Sequence, residues 1–204
     1  MRKLSKLFFL FIVFISIIFL SSCDRNLNSF AFIEGKFIYE GYPFVLYDDI
    51  SADQIVIEFS SYEGDVTNLE YNEGISEYLG DECDTKNLIQ NSFNKKIYQI
   101  KLYFKLYNSE EYIHTNVYSI ETFAFADGSD VYKIRVDIVD IHNELKYYFI
   151  IRLIPTYEEN PNYYILFSLL EMYKDDLLVN NIQNTTEFKS IKDMKSWYLY
   201  LVEE

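Results

Sequence analysis

Between Ile97 and Tyr173 apolar residues recur at every second position, and this periodicity commits most of the chain to antiparallel sheet. Tyr98, Ile100, Leu102, Phe104 and Leu106 fall on one side of a strand and Lys101, Tyr103, Lys105 and Tyr107 on the other. Successive side chains of an extended backbone point to opposite faces. The pattern restarts after each polar break. Asn108 to Glu111 precedes a run from Tyr112 to Phe125 whose alternation slips near Ser119, as at a β-bulge. Asp127-Gly128-Ser129-Asp130 has the composition of a hairpin tip, since glycine tolerates positive φ and aspartate bonds its own turn. Tyr132, Ile134, Val136 and Ile138 then alternate with Lys133, Arg135 and Asp137, and His142-Asn143-Glu144 turns the chain. Leu145, Tyr147, Phe149, Ile151 and Leu153 alternate with Lys146, Tyr148, Ile150 and Arg152; a last run, Tyr163 to Tyr173, is apolar on both parities. Connections this short join antiparallel neighbours, so a five-stranded meander is expected.

The flanking segments are less regular. Lys36–Glu40, Phe44–Tyr47, Gln54–Ser60 and Val66–Tyr71 are strand candidates, and Asp84 is placed to cap a short helix from Thr85 to Phe93. Near the C-terminus Phe188, Ile191, Met194, Tyr198, Leu201 and Val202 recur at three and four residues, with Thr186 or Ser190 as N-cap. That spacing predicts an amphipathic helix packed on the sheet. Three prolines and six glycines leave little for flexible linkers, so residues 30–204 are expected to form one mainly β domain. Eight or nine antiparallel strands followed by one helix, with Gly35-Lys36-Phe37 near the start, resembles a lipocalin-like barrel. In that family a tryptophan stands two positions after the glycine; here Phe37 does, and the only tryptophan is Trp197. An open meander curled around the helix is the alternative. In a closed barrel, Tyr98, Phe104, Tyr147 and Phe149 would line an interior suited to a small apolar ligand.

The N-terminus carries a different message. Arg2, Lys3 and Lys6 precede an apolar run, Leu7 to Leu20, broken only by Ser16. Such a run rises only about 21 Å as a helix, against a hydrocarbon core of ~30 Å, and Asp24 and Arg25 prevent its extension. An export signal therefore fits better than a retained span. Leu20-Ser21-Ser22-Cys23 is similar to the lipobox of bacterial lipoproteins. That resemblance covers residues 1–23. It implies removal of 1–22, a thioether-linked diacylglycerol on Cys23, a lipidated tether over 23–29, and attachment to an envelope membrane or the cell surface. Two or three acyl chains anchor stably where one would not.

Charge narrows the partners. With 18 basic and 32 acidic residues the net charge is −14, which argues against nucleic acid and against attraction to anionic lipid. Thirteen acids and no base lie between Phe37 and Thr85. By contrast Lys101, Lys105, Lys133, Arg135, Lys146 and Arg152 all take the non-core parity of their strands, with Tyr103, Tyr107 and Tyr148 among them. They form either a solvated face paired across strands with Glu121 and Asp137, or a docking face for an acidic protein or anionic glycan.

Chemistry-bearing motifs are sparse. Once Cys23 is lipidated, Cys83 has no disulfide partner in its chain, and Asp81, Glu82 and Asp84 beside it disfavour a thiolate. Asp48, Asp49 and Asp53 offer oxygens of the kind calcium prefers, without the alternating ligands and central glycine of an EF-hand loop. Glu110-Glu111 and Glu158-Glu159 sit in expected turns, and His114 and His142 form no paired metal motif. Phosphate-loop, nucleophile-elbow and Cys-x-x-Cys patterns do not occur, and nothing calls for a cofactor. The expected role is non-enzymatic binding, with an envelope hydrolase or a structural or assembly lipoprotein as the alternative.

Overall fold

A computed structural model describes residues 34–64, 86–91, 96–124, 130–139, 145–157, 163–180, 187–194 and 196–202. Cys23 and the leader, the expected strand Val66–Tyr71, Cys83, and most of the tips at 127–130 and 142–144 lie outside the described residues. The strands are β1 (Gly35–Tyr47), β2 (Ile50–Ser61), β3 (Leu88–Gln90), β4 (Ile97–Leu106), β5 (Tyr112–Ala124), β6 (Asp130–Val139), β7 (Leu145–Tyr157), β8 (Tyr163–Lys174), β9 (Leu177–Leu178) and β10 (Trp197–Val202). The meander β4–β8 is antiparallel throughout, as the alternation requires. The slip near Ser119 is a real register shift, lying between Ser119 and Glu121.

The sheet closes. Strands run in the order β1-β2-β4-β5-β6-β7-β8-β10, and β10 pairs antiparallel with both β8 and β1, giving an eight-stranded barrel consistent with the lipocalin-like type. Phe37 faces Leu201 and Ile38 faces Tyr200 on one side of β10; on the other, Trp197 faces Phe167 and Leu199 faces Ile165. Next to β10 the segment 187–194 continues the seam, where Val45 N donates to Lys189 O (2.9 Å) and Ile191 is buried in the core.

The expected C-terminal helix is therefore corrected to a strand. Residues 197–202 satisfy both periods at once, because Trp197, Leu199 and Leu201 alternate with Tyr198, Tyr200 and Val202. Long-range pairing decides between them. Without β10, the facing edges of β1 and β8 would each present a row of unmatched N–H and C=O groups. Among the described residues there, only Ile191–Asp193 is helical, a 3-10 turn in which Ser190, one of the expected caps, accepts from Lys192 N (3.0 Å). The short helix expected over Thr85–Phe93 is likewise replaced in its described part by β3. β4 and β5 pair only from Tyr103–Lys105 to Tyr112–His114, and β3 fills the opening beyond. Asn87, at φ 61°, bridges it: its N donates to Val117 O (2.7 Å), its Oδ1 accepts from Val117 N (2.8 Å) and its O accepts from Ile100 N (2.8 Å).

An eight-stranded barrel is just wide enough for side chains to fill it. Here Phe37, Phe44, Ile55, Ile57, Phe104, Val136, Phe149, Ile151, Phe167, Trp197 and Leu199 do so in one cluster. Gly35 lets β10 approach β1. Its φ is 149°, and a Cβ there would lie 2.6 Å from Leu201 Cδ1. Gly35→Ala should lower the unfolding free energy by about 1–3 kcal/mol in a urea titration. An unchanged midpoint would show that β10 is not held tightly there.

Candidate docking face on the barrel wall

Every aromatic expected inside is inside. Tyr98, Phe104, Tyr147 and Phe149 are at most 2% exposed, but they do not converge on one site. Phe104 and Phe149 meet edge-to-face at 6.2 Å. Tyr98 lies near the start of β4 and Tyr147 near the start of β7, strands of opposite direction, so these two rings sit at opposite ends of the barrel. At the Tyr98 end, Tyr132 donates to Asp130 Oδ2 (2.7 Å), and burial followed by that carboxylate pushes the Tyr132 phenol strongly up. At the other end Tyr147 donates to Asp48 Oδ1 (2.6 Å) and stacks on Tyr47 (4.7 Å), while Lys174 Nζ lies over the Tyr147 ring (5.2 Å). The seam between them is filled by Phe44, Trp197 and Phe167, with centroids 5.9 and 5.3 Å apart in turn. Within this packing Trp197 Nε1 is buried without a hydrogen-bond partner.

The wall carries the charges. Lys101 and Lys105 point outward on β4, Lys133 and Arg135 on β6, and Arg152 on β7; the side chain of Lys146 lies outside the described residues. Apolar inside and charged outside reverses the pattern of a membrane-spanning barrel. The bases do not merge into one stripe, because β5 separates the β4 pair from those on β6. Lys101 faces Glu58 across the strands, and Lys105 pairs with Glu110 (3.6 Å). Tyr103 donates to Glu58 Oε1 (2.5 Å) and packs on His114 (5.5 Å); burial and then Glu58 hold its phenol well above the usual range. Tyr107 packs on Phe188 at 4.9 Å instead of joining the bases.

A tighter group forms over β6–β8. Arg135 Nε donates to Asp137 Oδ1 (2.5 Å) while its guanidinium lies 4.0 Å above the Tyr148 ring. Tyr148 stacks nearly parallel on Tyr173 (4.6 Å, 11°), whose hydroxyl donates to Glu171 (2.6 Å). Asp137 thus takes Arg135 along the strand, whereas Glu121 faces Lys133 across it. On its other side Lys133 faces Arg152 directly, which leaves two like charges opposed on neighbouring strands. Chemically this is a guanidinium-capped aromatic ladder beside a cation pair, a surface suited to carboxylates or sulfated and uronic sugars.

A second outward group escaped the sequence pattern. Tyr198, Tyr200 and Val202 on β10 are 50%, 52% and 44% exposed, and Tyr164 packs against Tyr198 (5.5 Å) and Tyr200 (6.1 Å). The helical spacing had placed Tyr198 with Leu201 on one face; strand parity sends Tyr198 out and Leu201 in. The W-Y-L-Y-L-V alternation was the available signal.

The acidic loop is used internally, since Asp48 accepts from both Tyr147 and Lys174 (3.4 Å). Among the described residues no three His, Cys, Asp or Glu side chains gather as a metal cluster. His142, Glu158 and Glu159 lie outside the described residues, and His114 stands on the wall beside Tyr103. Comparison with protein-family models, curated proteins and solved structures finds no match to this chain.

Burial lifts the Asp137 carboxyl above its ordinary value, against the pull of Arg135. The folded state then holds the proton more tightly than the unfolded one, so this group's contribution is fully present below the unfolded value and is lost as pH rises through the raised folded value. Stability of the wild type relative to Asp137→Asn should therefore fall with rising pH across that window, as read from urea midpoints. A relative gain over the same rise would contradict the assignment.

Proposed function

We propose that this protein is a lipid-anchored component of a bacterial cell envelope, attached through Cys23, that recognises an anionic partner without catalysing a reaction on it. The leader's charge, length and Leu20-Ser21-Ser22-Cys23 ending support the anchor. For recognition, the carrying observation is the direct opposition of Lys133 and Arg152 beside the Arg135–Tyr148–Tyr173 ladder. Like charges placed opposite each other destabilise a sheet, and an incoming carboxylate or glycan acid relieves that repulsion. A core filled by rings leaves the wall as the place for a partner of any size. In a chain of net charge −14 this local patch also gives the partner one approach, effective within about 8 Å at physiological salt.

One observation favours a second reading, an apolar ligand inside the barrel. The unpaired Trp197 Nε1 costs about 1–3 kcal/mol unless a bound acceptor satisfies it. A ligand carrying one carbonyl would do so while displacing neighbouring rings.

Two experiments test the main reading. Labelled palmitate should enter the wild-type chain and not Cys23→Ala; equal labelling would overturn the anchor. On polyglutamate or polygalacturonate matrices at physiological salt, where the net negative charge is screened beyond the patch, the wild type should be retained and Lys133→Glu/Arg152→Glu should pass through, with an affinity lower by about tenfold or more. Identical elution of the two would overturn the docking face.

A further inference from the structure

The exposed aromatic group on β8, β10 and β1 lies beside the first residues of β1. Gly35 begins β1, and Lys36 pairs with Val202, so the described chain starts alongside β10. Residues 24–33 separate Cys23 from that point, a span of at most about 3.5 Å per residue. Two outward rows make up the patch: Tyr164–Tyr200–Ile38 and Ile154–Leu166–Tyr198, each in direct cross-strand register. Every one of these residues is apolar or aromatic. Lys36 borders one edge, its ammonium 3.7 Å from Glu58, and Arg152 the other; Glu40, the nearest acid on β1, is bonded by Gln54 (3.1 Å).

We infer that this tyrosine patch is the surface on which the barrel seats against the phospholipid bilayer that holds its lipid. The inference rests on the anchor at Cys23 proposed above. Tyrosine has an apolar ring and a hydrogen-bonding tip, and it is favoured at the boundary between hydrocarbon and headgroups. The tether keeps the patch at high effective concentration near that boundary, so even weak ring insertion suffices. A net charge of −14 excludes attraction to anionic lipid as the driving force, which points to neutral, zwitterionic headgroups. With β10 against the lipid, β5, diametrically opposite in the ring, faces away. Lys133 and Arg152 then remain on the flank, open to a partner.

Hydroxyl-radical oxidation of the full acylated chain in phosphatidylcholine vesicles tests this. Tyr112 is 42% exposed, so by exposure alone Tyr198 and Tyr200 should oxidise at least as fast. Seated on lipid, they should instead oxidise at least about fivefold more slowly than Tyr112. Equal rates, with palmitate present on Cys23, would overturn the patch and leave the anchor standing. A chain without palmitate would overturn the anchor and this inference with it. Protection that rises with protein density at fixed lipid would assign the patch to a second copy, and protection kept by Cys23→Ala away from lipid would assign it to the chain itself; either overturns the inference.

Discussion

The double pairing of β10 is the constraint on which the rest of this structure depends. One short strand supplies partners to β1 on one edge and β8 on the other, and so turns an open sheet into a ring. The same strand delivers Trp197 and Leu199 to the interior, where Trp197 packs between Phe44 and Phe167. It also delivers Tyr198 and Tyr200 to the outside. Closure, core filling and the outer aromatic patch therefore share one cause. An open sheet of this length would expose two edges to other chains, a hazard that closure removes.

The interior and the wall divide the chemistry. An eight-stranded ring has room either for packed side chains or for one small ligand, and here the large rings on β4, β7, β8 and β10 use that room. Two buried phenols sit at the ends, Tyr132 with Asp130 at one and Tyr147 with Asp48 at the other, each donating to a carboxylate. Most wall bases also find an acid: Lys36 with Glu58, Lys105 with Glu110, Arg135 with Asp137. Lys133 departs from that pattern on one side only, facing Glu121 on β5 and Arg152 on β7, so two bases share one facing acid. This local breach of charge balance gives the docking proposal its place on the wall.

Much of this was legible in the residues. The alternation in Tyr98–Leu106, Tyr132–Ile138 and Tyr147–Leu153 placed strands, inward faces and neighbours correctly, because burial on one side imposes a period of two. The slip at Ser119 was visible for the same reason. Residues 188–202 misled, since Tyr198, Leu201 and Val202 fit a helical spacing over a window too short to separate 3.6 from 2. What decides there is the vacancy between β1 and β8, a property of strands far away in sequence. β3 was hidden likewise, because its role is to fill the gap where β4 leaves β5. Contacts such as Tyr147 with Asp48, and the meeting of Lys133 with Arg152, follow from register and closure, which no local pattern contains.

Native-state hydrogen exchange of the amides in Trp197–Val202 tests closure most directly. If β10 completes the ring, its bonded amides exchange only when the whole domain opens, with the same free energy as those in the middle of β6 and β7. Exchange of β10 through separate local opening, or protection in a helical pattern from i to i−4, would contradict the account.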